Sequence, residues 1–205
     1  MTRVRMTGTE RRQQLLDVAK ALFAEKGFDG TSIEEIAHRA NVSKPVVYEH
    51  FGGKEGIYAV VVDRETHTLL DRMVSSLHGG HPRVMLEEAA MALLGYVEES
   101  HDGFRILVRD SPVASTTGTF STLLNDIASQ VEHILANQFA ARGYDVKLAP
   151  MYAQALVGMV ALTGQWWLDA RKPKRDEVAA QLVNLAWNGL SHLEQKPTLR
   201  SNPPF

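Results

Sequence analysis

Apolar residues recur every three to four positions along most of the 205-residue chain, which is the spacing of one face of an α-helix. No stretch alternates apolar and polar positions between hairpin turns as strands do, so we expect an all-α fold. Breaks that contain glycine or proline divide the pattern into nine predicted helices. These cover residues 9–26, 31–39, 44–50, 54–77, 83–100, 104–110, 120–142, 149–171 and 176–195.

One predicted helix is unusually apolar. The segment from Pro150 to Leu168 has no charged residue and nearly reaches the length of a membrane span. It also holds two glutamines, a threonine and two glycines, and it lacks the leucine and isoleucine density of a lipid-facing helix. We therefore expect a helix buried on all sides, in a core or a subunit interface, and no membrane association.

The amino-acid composition excludes several kinds of functional site. The chain has no cysteine, which excludes a thiol nucleophile, a disulfide, an iron–sulfur cluster and a cysteine-based zinc site. A cysteine-free chain fits a reducing compartment, and we expect a cytoplasmic protein. The eight histidines are scattered, and the common hydrolase, nucleotide and dinucleotide motifs are absent from the sequence. We expect no enzymatic activity, no cofactor and no metal.

The most informative segment is residues 27–58, where four residues, 40–43, join two short predicted helices. A tight turn between two short helices is typical of a helix-turn-helix. Its apolar positions predict a small shared core of Ile33, Ile36, Ala37, Ala40, Val42, Val47 and Phe51. Within the second helix only Val47 is placed to anchor that core, so Val46 and Tyr48 are expected at the surface.

The outward side chains of this second helix suit the major groove of DNA. Lys44 would reach guanine edges or phosphate, Val46 thymine methyl groups, and Tyr48 phosphate oxygens. Ser43 can cap the helix, whose free N–H groups favour an anion. Further phosphate contacts are predicted for Thr31, Ser32 and Lys54. The N-terminal arginines Arg3, Arg5, Arg11 and Arg12 form either a DNA-tracking arm or a disordered terminus.

These residues carry a resemblance to a known family. Phe23, Gly27-Phe28, Thr31-Ser32-Ile33, Ile36-Ala37, Val42-Ser43, Val47-Tyr48-Glu49-His50-Phe51 and Lys54-Glu55 resemble the DNA-binding domain of the tetracycline-repressor (TetR) family. The resemblance implies a homodimeric transcriptional regulator, most often a repressor, that leaves a palindromic operator when a small molecule binds its C-terminal domain. Carried over by position, DNA contacts fall on Thr31, Ser32, Ser43, Lys44, Pro45, Val46, Tyr48, His50 and Lys54.

Some residues depart from the family pattern or allow other interpretations. Asn41 stands where the family usually has glycine, and asparagine tolerates the left-handed backbone conformation. Gly52-Gly53 and Gly56 predict a looser start of the fourth helix. Pro45 also suits a helix start, and Tyr48 and His50 could simply support the fold. Two alternatives stay open: a ligand-independent or activating regulator, or a helical binding module without DNA function.

We predict a DNA-binding domain over residues 1–53, a ligand-binding and dimerisation domain over 54–195, and a disordered tail over 196–205. The second domain has a bulky apolar interior that is either core or a pocket for a largely apolar ligand. The candidate ligand-binding residues are Met91, Leu94, Tyr96, Phe104, Leu107, Met159, Leu162, Thr163 and Trp166.

Dimerisation is predicted to use the eighth and ninth helices, because each carries a stripe of small and apolar residues. Two such helices from each subunit would form a four-helix bundle about a two-fold axis. The candidate interface residues are Gly158, Ala161, Gly164, Leu182, Leu185, Ala186, Gly189 and Leu193.

Overall fold

The computed structural model describes residues 6–109 and 120–199, and all regular secondary structure in these ranges is helical. The α-helices are α1 (Gly8–Lys26), α2 (Ile33–Arg39), α3 (Lys44–Phe51), α4 (Lys54–Ser76), α5 (Pro82–Glu99), α6 (His101–Val108), α7 (Phe120–Arg142), α8 (Ala149–Ala170) and α9 (Arg175–Ser191). A single 3-10 turn, Val146–Leu148, precedes α8. The predicted all-α class is confirmed.

Two helix ends differ from the prediction by three residues or more. The segment His101-Asp102-Gly103, predicted as a break, forms the first turn of α6, and Gly103 is buried there. A glycine that packs closely against a neighbouring group is compatible with a helix even though its propensity is low. Helix α9 ends at Ser191 rather than Gln195, and the ring nitrogen Nδ1 of His192 lies 2.9 Å from the carbonyl of Asn188 in its last turn.

The chain forms two compact units. The first comprises Met1–Leu70 and Tyr96–Leu123, and the second comprises Asp71–Gly95 and Leu124–Phe205. The unit boundaries fall within α4, α5 and α7. The first unit therefore contains the helix-turn-helix together with α6 and parts of its neighbouring helices. The predicted domain limit between residues 53 and 54 stays a prediction.

The first unit is built on α1, whose capping box joins Thr7 and Glu10 at its start. Its buried face comprises Leu15, Leu16, Ala19, Leu22, Phe23 and Ala24. Phe23, Phe28 and Tyr58 form an aromatic cluster with ring centroids 4.9 to 6.2 Å apart. This cluster fixes the end of α1 against the start of α4, since paired aromatic rings add to the stabilisation from burial.

A half-buried carboxylate connects four helices of the same unit. Glu65 of α4 has a side chain that is 12% exposed, and its Oε1 lies 3.0 Å from Nζ of Lys20 on α1. Tyr96 of α5 donates to Oε2 at 2.6 Å, and Ser100, which precedes α6, donates to the same oxygen at 2.8 Å. A buried charge is stable only when paired and hydrogen-bonded, and Glu65 meets both conditions.

The second unit has its own apolar core. Leu135 and Phe139 of α7 pack with Ala149 and Ala153 of α8. At the other end of α8, Trp167 is buried and its indole N–H donates to the carbonyl of Pro173 at 2.8 Å. Tryptophan buried in this way satisfies its one polar group while filling a large volume.

The Glu65 site predicts that Gly103→Ala destabilises the first unit. A Cβ at position 103 would lie 1.9 Å from Oε2 of Glu65, so the carboxylate must move and its hydrogen bonds must break. We expect a loss of about 2 kcal/mol in the free energy of unfolding, measured by urea denaturation. Gly8→Ala in α1 is the matched control, because nothing lies within 4 Å of its added Cβ. Equal stability of the two variants would contradict the close packing at Gly103.

Candidate nucleic-acid interface

The turn between α2 and α3 depends on a left-handed residue. Asn41 has φ of +54°, as expected for a residue in the usual glycine position. The N–H of Asn41 donates to the carbonyl of His38 at 3.1 Å, and the N–H of Val42 donates to that of Ala37 at 3.0 Å. These bonds close the end of α2 and set the direction in which α3 begins.

Helix α3 is anchored by one residue and otherwise faces outward. Val47 is fully buried, whereas Lys44, Pro45 and Tyr48 are exposed and Val46 is half-buried. The side chain of Tyr48 is 53% exposed, which is high for a tyrosine in a small helical unit. The predicted orientation of this helix is confirmed.

The start of α4 packs closely on the end of α3. A Cβ at Gly56 would lie 1.9 Å from the carbonyl oxygen of Phe51, and Gly53 has φ of +150°. Both positions therefore require glycine for packing or backbone geometry. The predicted looseness of this segment stays a prediction, and the glycines allow a close contact there.

The three hydroxyl groups predicted to contact phosphate have different environments. Thr31 is 2% exposed, and its hydroxyl lies 2.8 Å from the carbonyl of Gly27 and 3.3 Å from that of Leu22. Its predicted role as a phosphate contact is wrong, because the hydroxyl is inside the fold. Ser43 does not cap α3 with its side chain within the described residues, so its exposed hydroxyl stays available. Ser32 caps α2 by accepting from the N–H of Glu35 at 3.2 Å.

Three cations near α3 already have partners within the chain. Nζ of Lys54 donates to the carbonyl of Phe28 at 3.1 Å and lies 4.2 Å above its ring. Arg12 donates to the carbonyl of His50 at 3.0 Å, where it caps the C-terminal end of α3. Lys44 forms an ion pair with Glu34 of α2. Arg3 and Arg5, the outer residues of the predicted arm, lie outside the described residues.

Glu34 is a member of this surface that sequence reasoning missed. Ser32 caps the N–H of Glu35, whereas the carboxylate of Glu34 pairs with Lys44. The hydrogen bond from Lys44 holds the pKa of Glu34 below its ordinary value. Glu34 and Lys44 lie on opposite sides of the turn between α2 and α3. Their pairing therefore depends on the geometry of that turn, which the sequence pattern does not specify.

The candidate ligand-binding residues do not line one interior. Leu94, Tyr96, Phe104 and Leu107 are buried, and Met91, Met159 and Thr163 are half-buried. Leu162 and Trp166 are 67% and 56% exposed, so their prediction as pocket-lining residues is wrong for the single chain. Tyr96 and Phe104 pack edge to face with ring centroids 6.3 Å apart, as core residues do.

The predicted dimer residues divide into two groups. Ala161, Gly164, Leu182 and Ala186 are buried within the second unit, so their prediction as contacts to a partner is wrong; the small side chains fit this unit's own core. Leu185 and Gly189 are exposed, Gly158 is half-buried, and Leu193 packs beside the core of Leu135 and Phe139.

Helix α8 is less buried than its composition suggested. Together with the preceding 3-10 turn it is long and apolar enough to cross a membrane, and only 22% of its most apolar window is buried. The expectation of burial on all sides is therefore wrong for the single chain. One helix of this kind is weak support for a membrane span, since a helix that packs in a soluble protein has the same composition. Within the residues described, no three metal-ligating side chains converge.

Comparison with known proteins gives matches along nearly the whole chain. Residues 15–61 match the model for bacterial regulatory proteins of the tetR family, and residues 82–189 match that for the tetracyclin repressor-like C-terminal domain. The chain is 30% identical over 196 residues to the HTH-type transcriptional activator FasR of Mycolicibacterium smegmatis, covering 92% of this chain and 87% of that one.

Further matches cover the N-terminal segment or the fold. The negative transcriptional regulator IcaR of the Staphylococcus aureus icaADBC biofilm operon is 43% identical over 47 residues, covering 23% of this chain and 25% of IcaR. The crystal structure of a TetR-like transcriptional regulator from Rhodococcus sp. RHA1 superposes with a TM-score of 0.74 at 26% identity. It covers 92% of this chain and 100% of that one.

The buried hydroxyl of Thr31 predicts a stability effect. Thr31→Val keeps the side-chain shape but removes the donor to the Gly27 and Leu22 carbonyls. We expect a loss of about 1 to 2 kcal/mol in the free energy of unfolding, measured by urea denaturation. Thr31→Ser retains the hydroxyl and serves as the control. If Thr31→Val were as stable as the parent protein, the internal role of the hydroxyl would be refuted.

Proposed function

Because the chain belongs to the tetR family of bacterial DNA-binding transcriptional regulators, we propose that it is a homodimeric repressor of a palindromic operator. A small, largely apolar ligand releases it from that operator. The observation that carries the proposal is the exposure of Lys44, Pro45 and Tyr48 on a helix anchored by buried Val47. A helix fixed by one core residue, with its other side chains exposed or half-buried, can enter a major groove without unfolding.

The proposed DNA contacts are the predicted residues that the fold leaves at the surface or half-buried. Tyr48 offers a hydroxyl to phosphate, Lys44 a donor to guanine, and Val46 an apolar contact to thymine methyls. The full proposed set is Ser32, Ser43, Lys44, Pro45, Val46, Tyr48, His50 and Lys54. For Lys54 and His50 the described intrachain contacts use one donor and one backbone carbonyl, so further donors remain for DNA.

The sign of regulation has two candidates. We call α3 the reading helix. Repression requires only that the protein occupy DNA that the polymerase must use, so it is the simpler consequence of DNA binding through this helix. Activation is favoured by the similarity to FasR, a transcriptional activator that matches nearly the whole of this chain. IcaR, a negative regulator, matches only the N-terminal segment. Transcription in vitro from a template that carries the operator distinguishes the two.

The exposed apolar side chains of α8 and α9 support dimerisation. Leu162 and Trp166, one helical turn apart on α8, are 67% and 56% exposed, and Leu185 of α9 is 65% exposed. Large exposed apolar residues on adjacent helices are typical of an interface. Nothing lies within 4 Å of a Cβ added at Gly158 or Gly189, which leaves room for a partner helix. A second copy of the same surface forms a closed two-fold contact.

The effector is proposed to bind the C-terminal domain, which the family model matches over residues 82–189. Of the predicted ligand contacts, Met91, Met159 and Thr163 are half-buried in the second unit. They offer two flexible apolar side chains and one hydroxyl, a combination that suits a mostly apolar molecule with one polar group. The ligand acts by binding more tightly to the conformation that does not fit the operator.

The reading helix predicts that Tyr48→Ala weakens DNA binding without weakening the fold. Fluorescence anisotropy is measured on the duplex upstream of the protein's own gene, with a scrambled duplex as reference, at several salt concentrations. We expect the dissociation constant for the specific duplex to rise about tenfold, since a lost base or phosphate contact costs roughly 1 to 3 kcal/mol. Tyr48→Phe removes the hydroxyl and keeps the ring, so it distinguishes the contributions of the two groups to DNA binding. Unchanged affinity of Tyr48→Ala would remove this residue from the site.

The exposed surface of α8 and α9 predicts that Leu162→Glu produces a monomer. The substitution enters the interface twice by symmetry, so the dimer dissociation constant should rise by roughly 100-fold. Sedimentation equilibrium in detergent-free buffer over a concentration series measures it. Val84→Glu is the control, because Val84 is also exposed in the second unit but lies on α5. A dimer that survives Leu162→Glu would place the interface elsewhere.

A further inference from the structure

The ion pair between Glu34 and Lys44 lies on the surface proposed to read DNA. Both side chains are exposed, Glu34 by 60% and Lys44 by 53%. Lys44 is the first residue of α3 and the one lysine or arginine between residues 40 and 53. The fixed positive charge of the reading helix is therefore paired with a carboxylate of α2 before any DNA arrives.

This pairing adds little to the stability of the fold. An exposed pair between flexible side chains contributes little to folding, because solvent screens the charges and ordering the side chains costs entropy. The pair also differs from that of Lys20 and Glu65, whose carboxylate is 12% exposed and accepts from Tyr96 and Ser100 as well.

We propose that Glu34 is a specificity-determining residue, which keeps Lys44 in a charge-neutral pair and thereby suppresses binding to DNA without the operator sequence. The inference rests on the proposed function, because it concerns the same reading surface. Sequence-independent binding comes from phosphate neutralisation by free cations. A lysine already neutralised by its neighbour adds almost nothing to that term.

The same pair can still form hydrogen bonds to base edges in the operator sequence. Lys44 can donate to guanine O6 or N7, and the carboxylate of Glu34 can accept from the N4 amino group of cytosine. The pair presents one donor and one acceptor without net charge, so its contribution depends on base edges rather than phosphates. Glu34 thus lowers binding to all DNA by neutralising Lys44, and it recovers that loss where a cytosine amino group lies within reach.

The test compares Glu34→Gln with Glu49→Gln. Glu49 is an exposed carboxylate on α3 itself, and its substitution removes the same charge without touching the Lys44 pair. Anisotropy is measured on a random-sequence 30-bp duplex and on a duplex selected from a random library by the parent protein. Thermal unfolding of each variant checks that the fold is intact, as expected for substitutions at two exposed positions.

We expect Glu34→Gln to bind the random duplex about five- to tenfold more tightly at 50 mM salt, as one phosphate becomes neutralised by a freed lysine. The slope of log affinity against log salt should steepen by about 0.9, so this gain shrinks roughly 3.5-fold between 50 and 200 mM salt. The selected duplex should gain less or lose affinity, which lowers the ratio of specific to random binding. Glu49→Gln should change the salt slope far less.

A double-substitution cycle with Lys44→Gln isolates the pair. In the Lys44→Gln background, Glu34→Gln should alter binding to the random duplex less than twofold, since the cation that it frees is gone. A full effect in that background would mean that Glu34 repels DNA by itself, and this overturns the pairing. Equal effects of Glu34→Gln and Glu49→Gln also overturn it, while the proposed function stands. If the parent protein binds neither duplex and selects no sequence, the proposed function fails and this inference with it.

Discussion

The carboxylate of Glu65 is the interaction on which the first unit most depends. It receives hydrogen bonds from Tyr96 and Ser100 and pairs with Lys20, so one side chain connects α1, α4, α5 and the start of α6. An apolar core alone would allow these helices to slide, because dispersion and burial are not directional. The fixed geometry of the hydrogen bonds defines their register. Gly103 leaves the space that the carboxylate occupies.

That register supports the reading surface. Helix α1 presents Leu22 and Phe23 to the first unit's core, and Arg12 of α1 caps the end of α3 through the carbonyl of His50. Helix α3 has eight residues and one fully buried side chain, which is too little for independent stability. Its position comes from its neighbours, so any change that displaces α1 also displaces the surface proposed to meet DNA.

In the second unit, the apolar residues of α8 both pack within the unit and form an exposed surface. The small residues Ala161 and Gly164 of α8 are buried within the unit, where they admit close helix packing. The large apolar residues Leu162 and Trp166 of the same helix are exposed. A helix that buries one face in its own unit and exposes large apolar residues on another stabilises that unit and still offers an apolar surface to a partner.

The sequence by itself determined the helices, their approximate limits, the helix-turn-helix and the family, because these follow from local spacing, turn residues and a contiguous motif. It also placed Val47 inside and Tyr48 outside, since a short helix has few faces. Only the tertiary structure decided that the Thr31 hydroxyl is buried, that Glu34 pairs with Lys44, and that α8 exposes Leu162 rather than its small residues. Each of these depends on which side of an element meets another element distant in sequence, and helical periodicity does not specify the neighbour.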